Sequence, residues 1–361
     1  MKILIVHASA GAGHTKAAEA VYNGLKSQID HTVDIVDILR YTPAFYKNIY
    51  RKSYSFLVSK MPWLWGIFFS IVDVPGLRRA VRLLRRFLNR FNARRFERLV
   101  KTEQFDYIFS THFFPNEVLA ALKRAGKISA TIVSIITDYD VHSIWIADGI
   151  DYYAVACSYT KQKAESLGVA SEKVVVTGIP TDEKFSQEAD PVSLKSKIGI
   201  RQGVFTVLIA TGSFGIGPIE DVIRSLKDYQ IVVVCGHNKG LYNRLVKECR
   251  DMVRVLGLVD NMHELMAASD CMVTKPGGLS ISEALVRHLP LIFFNAIPGQ
   301  ETHNVEVLQR YGIGFVPASI HQISSMVKHL RGSSENYKAE QAKMEALAKP
   351  DAVQSILSLI R

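Results

Sequence analysis

Short apolar runs alternate along this chain with longer stretches whose apolar positions recur at helical spacing. Ile3-Leu-Ile-Val6 reads as a strand buried on both faces, and the loop Ser9-Ala-Gly-Ala-Gly13 leads into a helix from His14 to about Ser27. Val33–Ile38, Phe105–Thr111, Thr131–Ile136, Asp151–Ala156 and Lys173–Thr177 read as further strands, with helices over Asn116–Lys123 and Tyr159–Leu167 between them. The pattern resumes at Phe205–Ala210, Gln230–Cys235, Val253–Leu256 and Cys271–Thr274, separated by helices after Pro218, from about Lys239, and near Met262–Ala268. Such alternation predicts an α/β class with parallel sheets covered on both faces.

A polar stretch, Ser186–Arg201, contains Pro191 and shows little periodicity. Two domains are therefore expected, 1–186 and 203–349, joined by a linker over 187–202. Glu335–Arg361 reads as two helices broken at Pro350, and the last piece, 350–361, is expected to return to the first domain. An insertion over about 41–102 interrupts the first half. It mixes aromatic and basic residues (Phe45, Tyr46, Lys47, Tyr50, Arg51, Lys52, Tyr54, Phe56), continues through Pro62-Trp63-Leu-Trp65, and becomes arginine-rich after Pro75-Gly76. At about 100° per residue Leu77, Ala80, Val81, Leu84, Leu88 and Phe91 share one face and arginines including Arg82, Arg85 and Arg86 the other, which predicts a basic amphipathic helix.

Composition narrows the partners. With 361 residues, 48% hydrophobic and 22% charged, the chain is globular and has room for more than one core. A net charge of +10 predicts attraction to something acidic: nucleic acid, an anionic membrane or a phosphorylated substrate. No nucleic-acid module accompanies the charge, so nucleic acid is not expected as a partner. The four cysteines form no C-x-x-C pair, which argues against a zinc site or disulfide framework and fits a reducing cytosol. No apolar run approaches the ~20 residues of a membrane span. No basic segment with a cleavable apolar core precedes the first strand, so no signal peptide is expected. Membrane contact is expected to be peripheral.

The candidate chemistry sits in loops that follow strands. Gly11-Ala-Gly13-His14 opens a helix directly after the first strand, where backbone N–H groups accept an anion and an imidazole can act as a base. It is neither a Walker A loop nor a full dinucleotide fingerprint, because Lys16 stands where the third glycine is required; a tight turn needing small residues is the competing reading. Thr137–Trp145 brings Asp138, His142 and Trp145 to the end of a buried strand, suited either to a polyol acceptor or to capping a turn and packing. Ala210-Thr-Gly212-Ser213-Phe-Gly-Ile-Gly217 and Cys235-Gly236-His-Asn238 let the backbone approach a diphosphate. Densest is Lys275–Asn304. There Gly277-Gly278 lead into Ser280-Ile-Ser-Glu283, and Pro298-Gly-Gln300-Glu301-Thr-His-Asn304 follows the next strand. Glu283 either completes a capping box with Ser280 or clamps ribose hydroxyls whose phosphates rest on nearby N–H groups. Amides and a carboxylate in the second loop suit sugar hydroxyls, and the two loops together describe a nucleotide-sugar pocket.

The ordered set Gly11-Ala-Gly-His14, Thr137-Asp138 with His142 and Trp145, Gly178-Ile-Pro180, Val234-Cys-Gly236, Asp270–Gly278 and Pro298-Gly-Gln-Glu301 resembles, over nearly the whole chain, the diacylglycerol glycosyltransferases of glycosyltransferase family 28. These include the plant monogalactosyldiacylglycerol synthases and the bacterial processive diacylglycerol glucosyltransferases. The chain is more distantly similar to the N-acetylglucosaminyltransferase that makes lipid II. The resemblance implies a GT-B fold, two Rossmann-like doubly wound domains facing across a cleft, and a UDP-sugar donor with no cofactor and no essential metal. It implies His14 as base or acceptor-orienting group and Asp138 facing the acceptor. It also implies Glu283 on the uridine ribose, Gln300, Glu301 and Asn304 on the donor sugar, and Ser213, Gly277, Gly278 and Ser280 on the diphosphate. Gly13, Gly212, Gly236 and Lys275 complete the expected UDP-sugar site. One departure is Asp182, where relatives commonly carry an arginine near the donor phosphates; either another cation, such as Lys275, compensates or the donor sits differently. The implied acceptor is a lipid hydroxyl, that of diacylglycerol, at the cytoplasmic face of the cell membrane. His142 and Trp145 would lie on the acceptor side. Trp63, Trp65, Arg82, Arg85 and Arg86 would lie on the anionic surface, each arginine adding ~1 kcal/mol of attraction; an ordinary surface helix with solvated arginines is the competing reading of that segment. A UDP-sugar epimerase or hydrolase, or a non-catalytic membrane-associated UDP-sugar sensor, are the competing functions.

Overall fold

The computed structural model describes the chain apart from Ala10, 27–30, Pro62, Trp65, 68–88, Arg90, 249–250 and Arg361, and apart from the side chains at 51, 52, 54, 55 and 58–60. The expected membrane residues Trp65, Arg82, Arg85 and Arg86, and the basic helix over 77–91 except Asn89 and Phe91, lie outside the described residues. The chain divides into two compact units. One comprises Met1–Asp182, Ile297–His303 and Asp351–Arg361, and the other Glu183–Ala296 and Asn304–Pro350.

In the first unit the elements run β1 (Lys2–His7), α1 (Ala12–Lys26), β2 (Thr32–Asp37), α2 (Ala44–Lys60), α3 (Arg94–Glu103), β3 (Tyr107–Ser110), α4 (Phe113–Arg124), β4 (Thr131–Ile135), β5 (Tyr152–Val155), α5 (Ser158–Ser166) and β6 (Val174–Val176). All strand pairs are parallel, in the order β2-β1-β3-β4-β5-β6. The central strands read as unbroken apolar runs because both of their faces are covered. Ile3 and Ile5 pack with Ala18, Val21 and Leu25 of α1, while Leu4 and Val6 join Phe96 and Phe114 in the core on the other face.

The second unit runs α6 (Pro191–Ile198), β7 (Thr206–Ala210), α7 (Ile219–Ser225), β8 (Gln230–Val234), α8 (Lys239–Glu248), β9 (Val253–Leu256), α9 (Met262–Ala267), β10 (Cys271–Thr274), α10 (Gly278–Val286), β11 (Leu291–Phe293), α11 (Gln300–Arg310), α12 (Ile320–Gly332) and α13 (Ser334–Glu345), the first residues of α11 grouping with the first unit. Its parallel sheet has the order β11-β10-β7-β8-β9. The stretch read as an irregular linker contains α6. Asp190 accepts from the N–H groups of Val192 at 3.0 Å and Ser193 at 3.1 Å, Pro191 takes the first turn, and Gly199 closes the helix at φ 77°. Eight residues are too few for periodicity to register, so the legible signal was in the caps. The last helix, α14 (Ala352–Leu357), belongs to the first unit, where Ile356 and Leu357 enter the core of Ile3, Ile5, Val21 and Leu25.

In both units the sheet order places the chemistry. Where two neighbouring strands send their connections to opposite faces, a crevice opens at their carboxyl ends. In the first unit that point lies between β1 and β3, and in the second between β7 and β10.

Candidate active site

At the β1/β3 switch point the loop after β1 is locked from below. Asp37, at the end of β2, accepts from the N–H of Ser9 at 3.1 Å, the Ser9 hydroxyl at 2.7 Å and the N–H of Leu39 at 3.0 Å. An acidic residue at this position of a dinucleotide fold holds a ribose. Here its carboxylate instead holds the loop that leads to α1, which begins at Ala12 and puts Gly13 and His14 in its first turn.

His14 is clasped by the end of β3. Its Nδ1–H donates to the Thr111 carbonyl at 2.8 Å, and the Thr111 hydroxyl donates to the His14 carbonyl at 2.8 Å. The Thr137 hydroxyl lies 2.9 Å from the same Nδ1. A carbonyl can only accept, so Nδ1 carries the hydrogen and Nε2 is the basic nitrogen. Desolvation pushes the His14 pKa down to about 4, with the Thr111 bond opposing and His7 reinforcing the shift. His112 stands edge-on at 4.7 Å between ring centroids, and burial holds it well below its ordinary value. Its Nδ1 accepts from the N–H of Phe114 at 3.1 Å. His7, also lowered by burial, meets the Thr15 hydroxyl at 3.2 Å. The three imidazoles are therefore neutral near pH 7.

Trp145 is buried at 3% exposure, its ring 6.1 Å from His14 and 6.4 Å from His112. His142 is buried as well and accepts from the N–H of Ile144 at 3.1 Å, capping the turn that carries Trp145. Trp145 thus stands against His14, and His142 holds the turn that carries it. The Asp138 carboxylate accepts from Gln300 Nε2 at 3.1 and 2.9 Å, and His303 lies 3.4 Å from Asp140, whose carboxyl burial raises. Gln300 and Asp138, expected on donor and acceptor respectively, are thus hydrogen-bonded partners within the first unit. Glu301 accepts from the N–H of Ile297 at 2.8 Å, closing its own turn.

The second unit gathers most of the expected UDP-sugar residues at the β7/β10 switch point. The Thr274 hydroxyl donates to the Ala210 carbonyl at 2.6 Å, tying the two strand ends together. Gly212 has φ 79°, and Ser213 accepts through its carbonyl from the N–H of His237 at 2.8 Å. A Cβ on Gly236 would lie 2.3 Å from that same carbonyl, so the loops after β7 and β8 interlock only because residue 236 is glycine. Asn238 Nδ2 donates to the Gly215 carbonyl at 3.0 Å and adds a second tie.

The structure corrects one reading at the start of α10. Gly277 is the cap residue and Gly278 the first helical residue, so Ser280 lies inside the helix and forms no capping box with Glu283. Glu283 sits on the second turn, partly exposed. The first-turn N–H groups of any helix have no partner within it, which makes the segment from Gly278 to Ser280 suited to an anion. Nothing lies within 4 Å of a Cβ built on Gly277. Lys275 is partly exposed beside it. Asn304 is fully buried, and its Nδ2 donates to the Pro276 carbonyl at 3.0 Å, so it braces the glycine turn from behind.

Thr111 and His112 were missed by sequence reasoning. Their signal, a Ser-Thr-His run closing an apolar strand, gains meaning only once β3 is known to lie beside β1. Among the described residues no group of three or more histidines, cysteines or carboxylates has the arrangement to hold a metal ion, and no helix is long and apolar enough to cross a membrane. On α2, by contrast, Phe45 (77% exposed), Ile49 (48%) and Phe56 (55%) fall within about 40° of one another, and exposed Trp63 and Ile67 follow.

Residues 14–181 match the family described as monogalactosyldiacylglycerol (MGDG) synthase, and residues 206–356 match the glycosyltransferase family 28 C-terminal domain. The chain is 30% identical to a processive diacylglycerol beta-glucosyltransferase of Bacillus cereus (strain B4264), over 97% of this chain and 86% of the relative. Among solved structures it resembles MurG of Acinetobacter baumannii with a TM-score of 0.62 at 15% identity, covering 100% of this chain and 99% of that one. A UDP-GlcNAc 2-epimerase from Neisseria meningitidis gives a TM-score of 0.62 at 14% identity, again over 100% and 99%. Identities this low show the fold alone, which is GT-B; transferase and epimerase share it.

Proposed function

Because the chain belongs to the diacylglycerol glycosyltransferases of glycosyltransferase family 28, we propose that it moves a hexose from a UDP-sugar to the free hydroxyl of diacylglycerol. His14 takes the hydroxyl proton on Nε2 as the acceptor oxygen bonds to the anomeric carbon. The bond from that carbon to the diphosphate breaks, and its electron pair leaves with UDP. The first-turn N–H groups of α10, the Gly212–Ser213 loop and Lys275 take up the charge on the leaving group, in the place where relatives use the arginine that Asp182 replaces. Glu283 holds the ribose, Gln300 and Glu301 the sugar, and Asn304 acts through the Pro276 carbonyl. The reaction is assigned no metal.

The observation that carries this reading is the neutral, desolvated His14 with Nδ1–H committed to the Thr111 carbonyl, which leaves Nε2 as a base. The acceptor lies in a membrane, and the apolar stripe Phe45, Ile49 and Phe56 supports docking on the cytoplasmic face, in company with the net charge of +10. Purified protein given labelled UDP-glucose and diacylglycerol vesicles is expected to form a glycolipid, in the presence of EDTA as well. His14→Ala is expected to abolish turnover while UDP still binds. A preparation that binds UDP but yields no glycolipid from any hexose donor overturns the reading; so does full turnover by His14→Ala. F45S/I49S/F56S is expected to release the protein from anionic vesicles on sedimentation.

A further inference from the structure

If His14 is the base, something must stabilise the imidazolium that forms when it accepts a proton. The groups acting on His14 are unhelpful in this respect: burial and His7 both disfavour the charged ring, and only the bond to the Thr111 carbonyl favours it. His112, the other titratable group against the ring, is itself held neutral. No carboxylate is among the causes that shift this histidine. What remains is the second oxygen at Nδ1, the Thr137 hydroxyl at 2.9 Å.

We infer that Thr137 is a positioning residue for the proposed base: with the Thr111 carbonyl, its hydroxyl oxygen accepts the Nδ1–H of His14, fixes Nε2 as the basic nitrogen and stabilises the imidazolium. The inference rests on the proposed role of His14. As Nε2 gains its proton, Nδ1–H becomes a charged donor and both of its bonds strengthen. This is the part that a buried carboxylate plays in hydrolase triads, filled here by two neutral oxygens.

Thr137 is built for such a task. It stands two residues past the end of β4, and the N–H of Ile136 donates to the Ala154 carbonyl at 2.9 Å, so the sheet sets the backbone just ahead of it. The residue is 5% exposed, and its β-branched side chain has few rotamers to sample. The next residue, Asp138, is gripped by Gln300 through both carboxylate oxygens, which anchors the loop on its other side.

The test compares Thr137→Val, which replaces the hydroxyl by a methyl of similar size, with Thr137→Ser, His14→Ala and H14A/T137V in the full chain. T137V is expected to lower kcat about 10- to 100-fold while KM for UDP-glucose and UDP affinity by calorimetry stay unchanged. T137S is expected to restore most of the rate, and the double variant to be no slower than H14A. A T137V enzyme with wild-type kcat, alongside an inactive H14A, overturns the inference and leaves the base intact; an active H14A overturns the base itself. Should T137V fail to fold, Thr137→Ala decides against T137S: a kcat loss in T137A that T137S does not share supports the inference, and wild-type kcat in T137A overturns it.

Discussion

Gly24 lies on α1 against the last helix, and a methyl group there would meet Val353 Cγ1 at 2.5 Å. Carbon atoms rest at ~3.5–4.0 Å, so Gly24→Ala forces α14 or its valine to retreat by about 1 Å. Overpacking of this kind costs about 1–3 kcal/mol. Alanine in place of a helical glycine returns ~0.5–1 kcal/mol, so the net destabilisation is about 1–2 kcal/mol. Val353→Ala, at a half-buried site, is expected to cost ~1 kcal/mol by itself. In its background the added methyl has room, so G24A becomes neutral or stabilising and the pair shows a coupling energy of about 1–2 kcal/mol. Urea midpoints followed by circular dichroism on the four full-length proteins measure each corner of the cycle. A G24A midpoint at or above wild type, or the same G24A loss with and without Val353, refutes the packing of α14 on α1.

Acid should weaken the first unit through its histidines. Because the folded pKa of His14 is depressed from 6.5 to about 4, the unfolded chain binds the proton first, and stability present above pH 6.5 declines as pH falls toward 4. At pH 5 His14 alone accounts for at most about 2 kcal/mol relative to pH 7.5, with His7 and His112 acting in the same direction. Equal urea midpoints at the two pH values contradict this, and so does an acid limb of kcat/KM near 6.5. In the second unit, Gly236→Ala drives a methyl to 2.3 Å from the Ser213 carbonyl at φ 57°, and is expected to lower stability by about 1–3 kcal/mol and UDP affinity with it. Glu283→Gln is expected to weaken UDP binding about tenfold or more; unchanged UDP affinity is the contrary result.

Strand-and-helix alternation was enough to read the α/β class, because strands covered on both faces leave short apolar runs such as Ile3–Val6 between the helical stretches. The family could also be read from glycine turns and polar residues at strand ends. Partnership between distant residues could not. That Asp37 holds Ser9, that Thr111 clasps His14 and that Asn304 braces Pro276 depends on which strands are neighbours, and sequence spacing carries no record of this. The capping-box reading of Glu283 failed for a local reason: Ser280 and Glu283 have the right spacing, but the helix starts at Gly278, which puts Ser280 two residues inside it. For Thr137–Trp145 packing and acceptor contact were both open from sequence, because polar-aromatic loops look alike in either setting; the structure buries His142 and Trp145.

The first unit is assembled from three separate stretches of chain, the last of them α14. On a ribosome, β1 and α1 emerge long before α14, the second helix in the core of Ile3 and Ile5, exists. For most of translation α1 is at hand to pack on that face, while the part that Ile356 and Leu357 fill lacks its native partner. The second unit, whose own sheet is complete by β11, has no such wait. Folding in order of synthesis is thus reversed: the half made first finishes last, and its surfaces are the ones exposed to chaperones and to aggregation in the interval.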